Sequence, residues 1–187
     1  MIHRGPDDDG LFVTADGSTA FANRRLAIQD ITSAGHMPMC NAAASVVITY
    51  NGELYNTAEI RPDLERLGFR FNSHSDTEVI LHGYEAWGTS LFSRLRGIFA
   101  LALVDMRPES IEDGAPRILL ARDHLGVKPL YYAHCDGTLV FASELKTILA
   151  SGLAGRSLSA AALVGYLSFG AVPNPWTMVE SVRANAF

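Results

Sequence analysis

The chain has 187 residues, a formal charge of −5 and 19% charged residues, which is typical of one soluble globular domain. Its acidic balance and scattered Lys and Arg argue against nucleic-acid binding, and no apolar run approaches the roughly 20 residues that span a bilayer. The first residues carry no hydrophobic signal-peptide core. Cys40 and Cys135 have too few neighbouring ligands for zinc, so we expect a cytoplasmic protein with free thiols and no metal site.

The first half of the chain predicts a strand followed by two helices. Residues 45–50 are β-branched and aromatic, and they run into Asn51-Gly52, a strong turn signal. A helix is predicted over 57–67, with Asn56 and Glu59 at capping-box spacing, although Pro62 favours a start of regular helix near Arg61. Residues 75–78 form a second capping box, which opens a helix with an apolar face.

The second half predicts mostly short strands. Strands are expected over 98–104, 117–121, 130–133 and 138–141, with Asp136-Gly137 as the hairpin turn between the last two. One helix is expected near Ser143 and another from Ser159 to about Phe169, before residues 173–175 break regular structure. Sheet segments with interspersed helices favour a layered α/β or α+β domain.

Polar residues at strand and helix ends are candidates for a site. Asn51 and the backbone N–H of Gly52 would suit an oxyanion, although on spacing alone a simple Asn-Gly hairpin turn is favoured. Asp76 would either complement a helix dipole or receive a substrate ammonium group. Arg24 and Arg25 would face opposite sides of a strand, and either one would clamp a carboxylate or form a surface ion pair.

Six segments in order carry a family resemblance. They are 3–7 (HRGPD), 25–30 (RLAIQD), 51–56 (NGELYN), 75–80 (SDTEVI), 122–132 (RDHLGVKPLYY) and 142–146 (ASELK). Together they resemble the class II glutamine amidotransferase domain of glutamine-hydrolysing asparagine synthases, from His3 to about Glu180. Each segment is weak alone, but their order is specific. Segments 51–56 and 122–132 favour this branch over the sister families that form hexosamine phosphate or phosphoribosylamine.

The resemblance implies an α+β fold, the four-layer αββα sandwich of N-terminal-nucleophile hydrolases. Its two antiparallel sheets would lie between helical layers, here without the first strand and helix. Residues 1–155 would form the glutamine amidotransferase domain. Residues 156–187 would begin the connection to an ATP-dependent synthetase domain.

The resemblance also assigns roles to individual residues. Arg25 would bind the glutamine α-carboxylate, while Asp76 and Glu53 would hold the α-ammonium group. The Asn51 side chain and the Gly52 N–H would form the oxyanion hole, and the backbone around Ile28 would line the pocket. A zwitterionic amino acid needs one cation and one anion to orient it, so the set is chemically coherent.

The family's nucleophile is a cysteine at the mature N-terminus, whose thiolate attacks the glutamine amide. This chain begins Met1-Ile2, so we expect a truncated chain that hydrolyses no glutamine alone. The implied enzyme passes ammonia to an activated aspartate carboxylate in asparagine biosynthesis. No cofactor is expected in this chain, since ATP and Mg²⁺ belong to the synthetase domain, and a homodimer is compatible with the resemblance. The alternatives are a same-branch amidotransferase with another carboxylate acceptor, and a non-catalytic glutamine-binding or scaffold domain.

Overall fold

The computed structural model describes residues 3, 5–26, 30 and 32–185. Contacts along the chain divide it into two compact units, residues 1–120 and 121–187. This division lies within the predicted amidotransferase domain. The boundary predicted at residue 155 marks a junction with a further domain. Contacts within these residues do not test that junction, so the boundary stays a prediction.

The first unit contains a two-stranded hairpin and most of a five-stranded sheet. The hairpin pairs β1 with β2, and the larger sheet has the order β3-β4-β5-β7-β6. Two helices, α1 and α2, lie between β4 and β5 in the chain. The elements are β1 (Asp8–Val13), β2 (Ala20–Arg25), β3 (Met39–Cys40), β4 (Val46–Leu54), α1 (Thr57–Arg66), α2 (Asp76–Trp87), β5 (Gly97–Asp105), β6 (Ile111–Glu112) and β7 (Ala115–Arg122).

The centre of this unit is the antiparallel pair β4 and β5. Their register runs from Val46 opposite Asp105 to Leu54 opposite Gly97, and β5 is buried on both faces as predicted. Helix α2 packs against β4 with its buried apolar side chains. The hairpin approaches β4 as well, through a 2.8 Å hydrogen bond from Asn23 Nδ2 to Thr49 Oγ1. Helices and sheets therefore pack in layers, which confirms the predicted α+β class.

The predicted turn at Asn51-Gly52 is wrong. Both residues lie inside β4, where Asn51 faces Ala100 and Gly52 faces Phe99 across the ladder. A Cβ on Gly52 would stand 2.4 Å from the Ile98 carbonyl oxygen. Glycine is therefore required here by the close approach of β5, which the local sequence does not reveal.

The start of α1 also differs from the prediction. Asn56 makes no side-chain capping bond; its amide donates to the Arg94 carbonyl and accepts from the Arg96 N–H, both at 2.9 Å. The helix begins at Thr57 and continues through Pro62, rather than starting near Arg61. A tertiary contact therefore uses the side chain that the spacing assigned to a capping box.

The N-cap predicted for α2 is confirmed, because Ser75 Oγ accepts from the Thr77 N–H at 3.2 Å. The Glu78 carboxylate does not complete the predicted box. It accepts instead from the N–H groups of Asn72 and Ser73, at 2.8 and 2.7 Å. Glu78 thus fixes the segment that leads into α2.

The second unit holds a three-stranded sheet with the order β10-β8-β9. The predicted Asp136-Gly137 hairpin is confirmed, with φ values of 46° and 77° that suit a tight turn. Its core contains Ala133, Ile148, Ala154, Val179 and Val182. The elements are β8 (Tyr131–Cys135), β9 (Thr138–Ala142), α3 (Leu145–Ala150), α4 (Ala160–Phe169) and β10 (Arg183–Ala184).

Ser159 caps α4 as predicted, since its Oγ accepts from the Ala162 N–H at 3.2 Å. We expect Ser159→Ala to lower the free energy of unfolding by about 1 kcal/mol, because a helix N–H loses its acceptor. Urea denaturation measures the change. Ser157→Ala, at a nearby exposed position, should alter it by less than about 0.5 kcal/mol. Equal losses in the two variants would contradict the capping role.

Candidate functional site

One edge of β4 is open near its C-terminal end. Strand β3 pairs with β4 only at Val47 and Ile48, so that no described strand covers the β4 edge from Tyr50 onward. In an antiparallel ladder, successive residues direct their backbone N–H groups to alternate sides. Tyr55 donates to the Arg96 carbonyl at 2.7 Å, so odd-numbered residues face β5. Even-numbered residues therefore face the open edge.

The N–H of Leu54 follows this alternation and donates to Asp76 Oδ2 across the open edge, at 3.1 Å. Gly52 lies two residues earlier, so its N–H points to the same side. No described residue accepts a hydrogen bond from it. Gly52 therefore presents a backbone donor at the edge where the start of α2 meets β4.

Asp76 is the first residue of α2 and is 5% exposed. Its Oδ2 accepts from the Tyr50 hydroxyl at 3.0 Å as well as from the Leu54 N–H. Burial raises the pKa of Asp76, while these two hydrogen bonds act to lower it. Neither bond uses Oδ1. The site thus holds a desolvated carboxylate with one oxygen fixed by neutral donors.

Arg25 lies at the end of β2 and is buried, with its Nη2 donating to the Asp30 carbonyl oxygen at 2.5 Å. A Cβ at Gly35 would stand 2.5 Å from Nη2, so the guanidinium lies directly against that backbone. Arg24 faces the other side, where it donates to the Gly5 carbonyl and to Asp9. The predicted division of the two arginines between opposite faces is confirmed.

Asp30 connects the two charged candidates. Its carbonyl accepts from Arg25, and its carboxylate Oδ2 accepts from the His74 N–H at 2.8 Å. His74 is two residues before Asp76. The structure therefore ties the Arg25 guanidinium to the segment that leads into α2, within the first unit.

Asn51 and Glu53 occupy the odd-numbered face of β4, opposite to Tyr50. Thr49 on this face contacts Asn23, so the face is the one that meets the hairpin. The Glu53 side chain is exposed. Asn51 and Glu53 therefore lie on the same face of β4. Asp76 is instead bonded by Tyr50, on the opposite face, and by the Leu54 N–H at the open edge. Ile28 lies outside the described residues.

Sequence reasoning missed two residues of this arrangement. Tyr50 was assigned only to a strand, yet it holds Asp76 from a position 26 residues earlier. Asp30 belonged to a quoted motif without a role. The only local signal that could have indicated Tyr50 was strand alternation, which places Tyr50 and Gly52 on the same face of β4.

The cysteines lie apart from this arrangement. Cys40 is in β3, and partial burial raises the pKa of its thiol, while Cys135 is in the second unit. Within the described ranges, no three His, Cys, Asp or Glu side chains are grouped to hold a metal ion. No helix in those ranges is both long and apolar enough to cross a membrane.

The fold is that of the N-terminal-nucleophile amidotransferases. The chain superposes on the glutamine phosphoribosylpyrophosphate amidotransferase of B. subtilis, solved with ADP and GMP, with a TM-score of 0.59 and 21% sequence identity. The match covers 76% of this chain and 31% of that one. This likeness confirms the predicted sandwich fold.

The chain belongs to the glutamine amidotransferase domain family, which matches residues 1–185. It is 38% identical to asparagine synthetase [glutamine-hydrolyzing] 1 of Bacillus subtilis, over 98% of this chain and 27% of that protein. It is 41% identical to asparagine synthetase [glutamine-hydrolyzing] 2 of rice, over 79% and 23% respectively. The chain thus spans about a quarter of the length of these relatives. The predicted family is confirmed, and these relatives carry the name of the predicted branch.

Proposed function

We propose that this chain is the glutamine-binding part of an asparagine synthetase, in which glutamine is hydrolysed to supply ammonia. Relatives named glutamine-hydrolysing asparagine synthetases support this reading, as does the family match over nearly the whole chain. The ammonia would pass to an activated aspartate carboxylate in a synthetase domain that binds ATP and Mg²⁺. No cofactor is assigned to the residues of this chain.

The observation that carries the proposal is that Arg25 and Asp76 are both buried and carry opposite charges. Asp30 joins the Arg25 guanidinium to the backbone of His74, two residues before Asp76. A free amino acid presents a carboxylate and an ammonium group on one carbon. A guanidinium forms paired hydrogen bonds with a carboxylate, and a desolvated carboxylate attracts an ammonium group strongly. We assign the glutamine α-carboxylate to Arg25 and its α-ammonium group to Asp76, assisted by Glu53.

We assign the oxyanion hole to Asn51 and Gly52. When a nucleophile attacks the side-chain amide, negative charge develops on the amide oxygen. The Gly52 N–H at the open edge of β4 and the Asn51 side-chain amide would stabilise that charge. The backbone around Ile28 would complete the pocket. The attacking group would be an N-terminal cysteine thiolate, and we assign no nucleophilic role to Cys40 or Cys135.

Glutamine binding by the purified chain tests the residues assigned here without requiring a nucleophile. Isothermal titration calorimetry with L-glutamine should show binding that Arg25→Gln weakens by at least about 30-fold, since a buried charge pair loses about 2 kcal/mol or more when one partner is removed. Arg24→Gln is the matched control, because Arg24 lies on the opposite face of β2, and it should change the dissociation constant by less than about threefold.

Two results would overturn the proposal. One is the absence of glutamine binding by the folded wild-type chain. The other is equal weakening by the two arginine variants, which would assign the loss to the strand as a whole rather than to the carboxylate site. Circular dichroism of each variant establishes that the fold is retained.

A further inference from the structure

We propose that Tyr50 is a positioning residue for glutamine recognition: its hydroxyl and the Leu54 N–H together hold Oδ2 of Asp76, so that Oδ1 is presented to the ammonium group of the ligand. The inference rests on the proposed function and extends it to a residue outside the assigned set. Tyr50 would touch no glutamine atom and would act only through Asp76.

The geometry restricts Asp76 at three points. The Tyr50 hydroxyl and the Leu54 N–H reach the same oxygen, at 3.0 and 3.1 Å, and the backbone is anchored at the start of α2. Tyr50 is 4% exposed, so its ring has little freedom to move. Because Oδ2 and the Cα of Asp76 are both held in place, the position of the second carboxylate oxygen, Oδ1, is also fixed. This is the preorganisation that a charged recognition group requires.

The hydroxyl serves as a donor throughout the accessible pH range. Burial and the negative charge of Asp76 raise the pKa of Tyr50, and Glu53 and Tyr55 act in the same direction. The phenol therefore stays protonated and keeps its hydrogen on the side of Asp76. The segment before α2 carries the titratable side chain of His74, which interacts with the Asp30 carboxylate. The Asp30 carbonyl in turn accepts from the Arg25 guanidinium.

A second tyrosine–aspartate pair shows what a purely structural version looks like. The Tyr84 hydroxyl donates to Asp105 at 2.9 Å, but Asp105 also accepts from the Arg107 guanidinium and from Ser110. Burial acts to raise the pKa of Asp105, yet these hydrogen bonds outweigh it and hold that pKa below its usual range. The charge of Asp105 is thus neutralised within the fold.

Asp76 differs from Asp105 because its two bonds from Tyr50 and Leu54 come from neutral groups. No cation neutralises the carboxylate through those contacts, and its pKa is raised rather than lowered. The backbone N–H groups of Thr77 and Asp76, which also act to lower this pKa, are neutral as well. A buried and oriented carboxylate held by neutral donors is suited to an external cation. Tyr50 supplies the orientation without supplying a positive charge.

The test compares Tyr50→Phe with Tyr84→Phe, each of which removes one hydroxyl from a buried Tyr–Asp pair. Glutamine affinity is measured by calorimetry from pH 4 to 8 for both variants and the wild type. Loss of the Tyr50 hydroxyl makes Asp76 easier to protonate, so the acid limb of the affinity profile should move to higher pH. Affinity at pH 7 should fall about threefold to tenfold, as expected for a lost hydrogen bond to a charged group. Tyr84→Phe should leave the profile in place.

A titration followed by NMR gives a second measurement that does not depend on the ligand. In the wild-type chain, the Asp76 carboxyl carbon, the Leu54 amide and the Tyr50 ring should share one titration midpoint, because all three report the same proton. In Tyr50→Phe the Asp76 midpoint should rise, and in Tyr84→Phe it should not. This measurement on the wild-type chain holds even where a variant folds poorly.

The outcomes separate the two proposals. If the wild-type chain binds glutamine and Tyr50→Phe keeps both the affinity profile and the Asp76 midpoint, the role of Tyr50 is overturned while the proposed function stands. If the NMR midpoints are shared and shift as expected but no glutamine binds, the contact is real and both functional proposals are overturned. Equal shifts in the Tyr84→Phe chain would show a general loosening of the fold and overturn the inference.

Discussion

Asp76→Asn should strongly weaken glutamine recognition while leaving the domain folded. Asparagine keeps the size of the side chain and retains an oxygen that accepts from Tyr50 and Leu54, so the edge of β4 stays joined to α2. What is lost is the negative charge that faces the ammonium group. We expect the dissociation constant for L-glutamine to rise at least 30-fold, about 2 kcal/mol, measured by calorimetry at pH 7.5.

The stability of this variant should move in the opposite direction from its affinity. Burial raises the pKa of Asp76 in the folded chain, so the folded state binds a proton more readily than the unfolded state. The stability associated with this group is therefore full below the unfolded pKa and declines as pH rises through the folded pKa. At pH 7.5 the ionised carboxylate is unfavourable for folding. Asparagine removes that cost, so the melting temperature of Asp76→Asn should equal or exceed that of the wild type.

Asp63→Asn is the matched control, because Asp63 is a partly exposed carboxylate on α1 that pairs with Arg66. It should change neither glutamine affinity nor the melting temperature beyond the small effects of a surface ion pair. A marked loss of stability in Asp76→Asn would instead show that the ionised Asp76 supports the fold. Unchanged affinity in that variant would remove Asp76 from the site.

Local patterns predicted the elements whose signals are contained within a few residues. Ser75 and Ser159 cap helices, Asp136-Gly137 turns a hairpin, and residues 97–105 form a buried strand, all through interactions between near neighbours in the chain. Asn56 failed as a capping residue because its amide is taken by residues 94 and 96. The contact with a distant segment satisfies more backbone groups than a local cap, and no spacing rule detects it.

The candidate site shows the same limit. The family resemblance selected Arg25 and Asp76, and the structure shows that both are buried. The resemblance did not indicate which residues hold them in place. The Asp30 carbonyl accepts from Arg25, and the Tyr50 hydroxyl donates to Asp76 from a different element of the fold. The faces of β4 were also unpredictable while Asn51-Gly52 was interpreted as a turn. Once the strand continues to Leu54, strict alternation separates Asn51 from Tyr50 and directs the Gly52 N–H to the open edge.

Gly52→Ala should strongly destabilise the first unit. A Cβ at this position would lie 2.4 Å from the Ile98 carbonyl oxygen and 2.7 Å from the Phe99 Cα, which are backbone atoms of the central strand β5. Backbone within a nine-residue ladder cannot move aside as a flexible side chain does. We expect a loss of about 2–4 kcal/mol in the free energy of unfolding, seen as a fall of roughly 5–15 °C in the melting temperature.

The control is Gly155→Ala, where the nearest atom to a new Cβ is Ser181 Oγ at 3.9 Å. That variant should melt within about 2 °C of the wild type, since neither space nor backbone conformation opposes the methyl group. Equal behaviour of the two alanine variants would refute the close approach of β4 and β5.

At low temperature, where the Gly52→Ala chain is still folded, its glutamine affinity separates two roles of Gly52, in sheet packing and in ligand binding. Displacement of the β4 edge should weaken binding through Asp76, because Leu54 lies on that edge and donates to Asp76. Unchanged affinity would show that Gly52 contributes to sheet packing but not to glutamine binding. Any role of its N–H would then be limited to stabilising the oxyanion during the reaction.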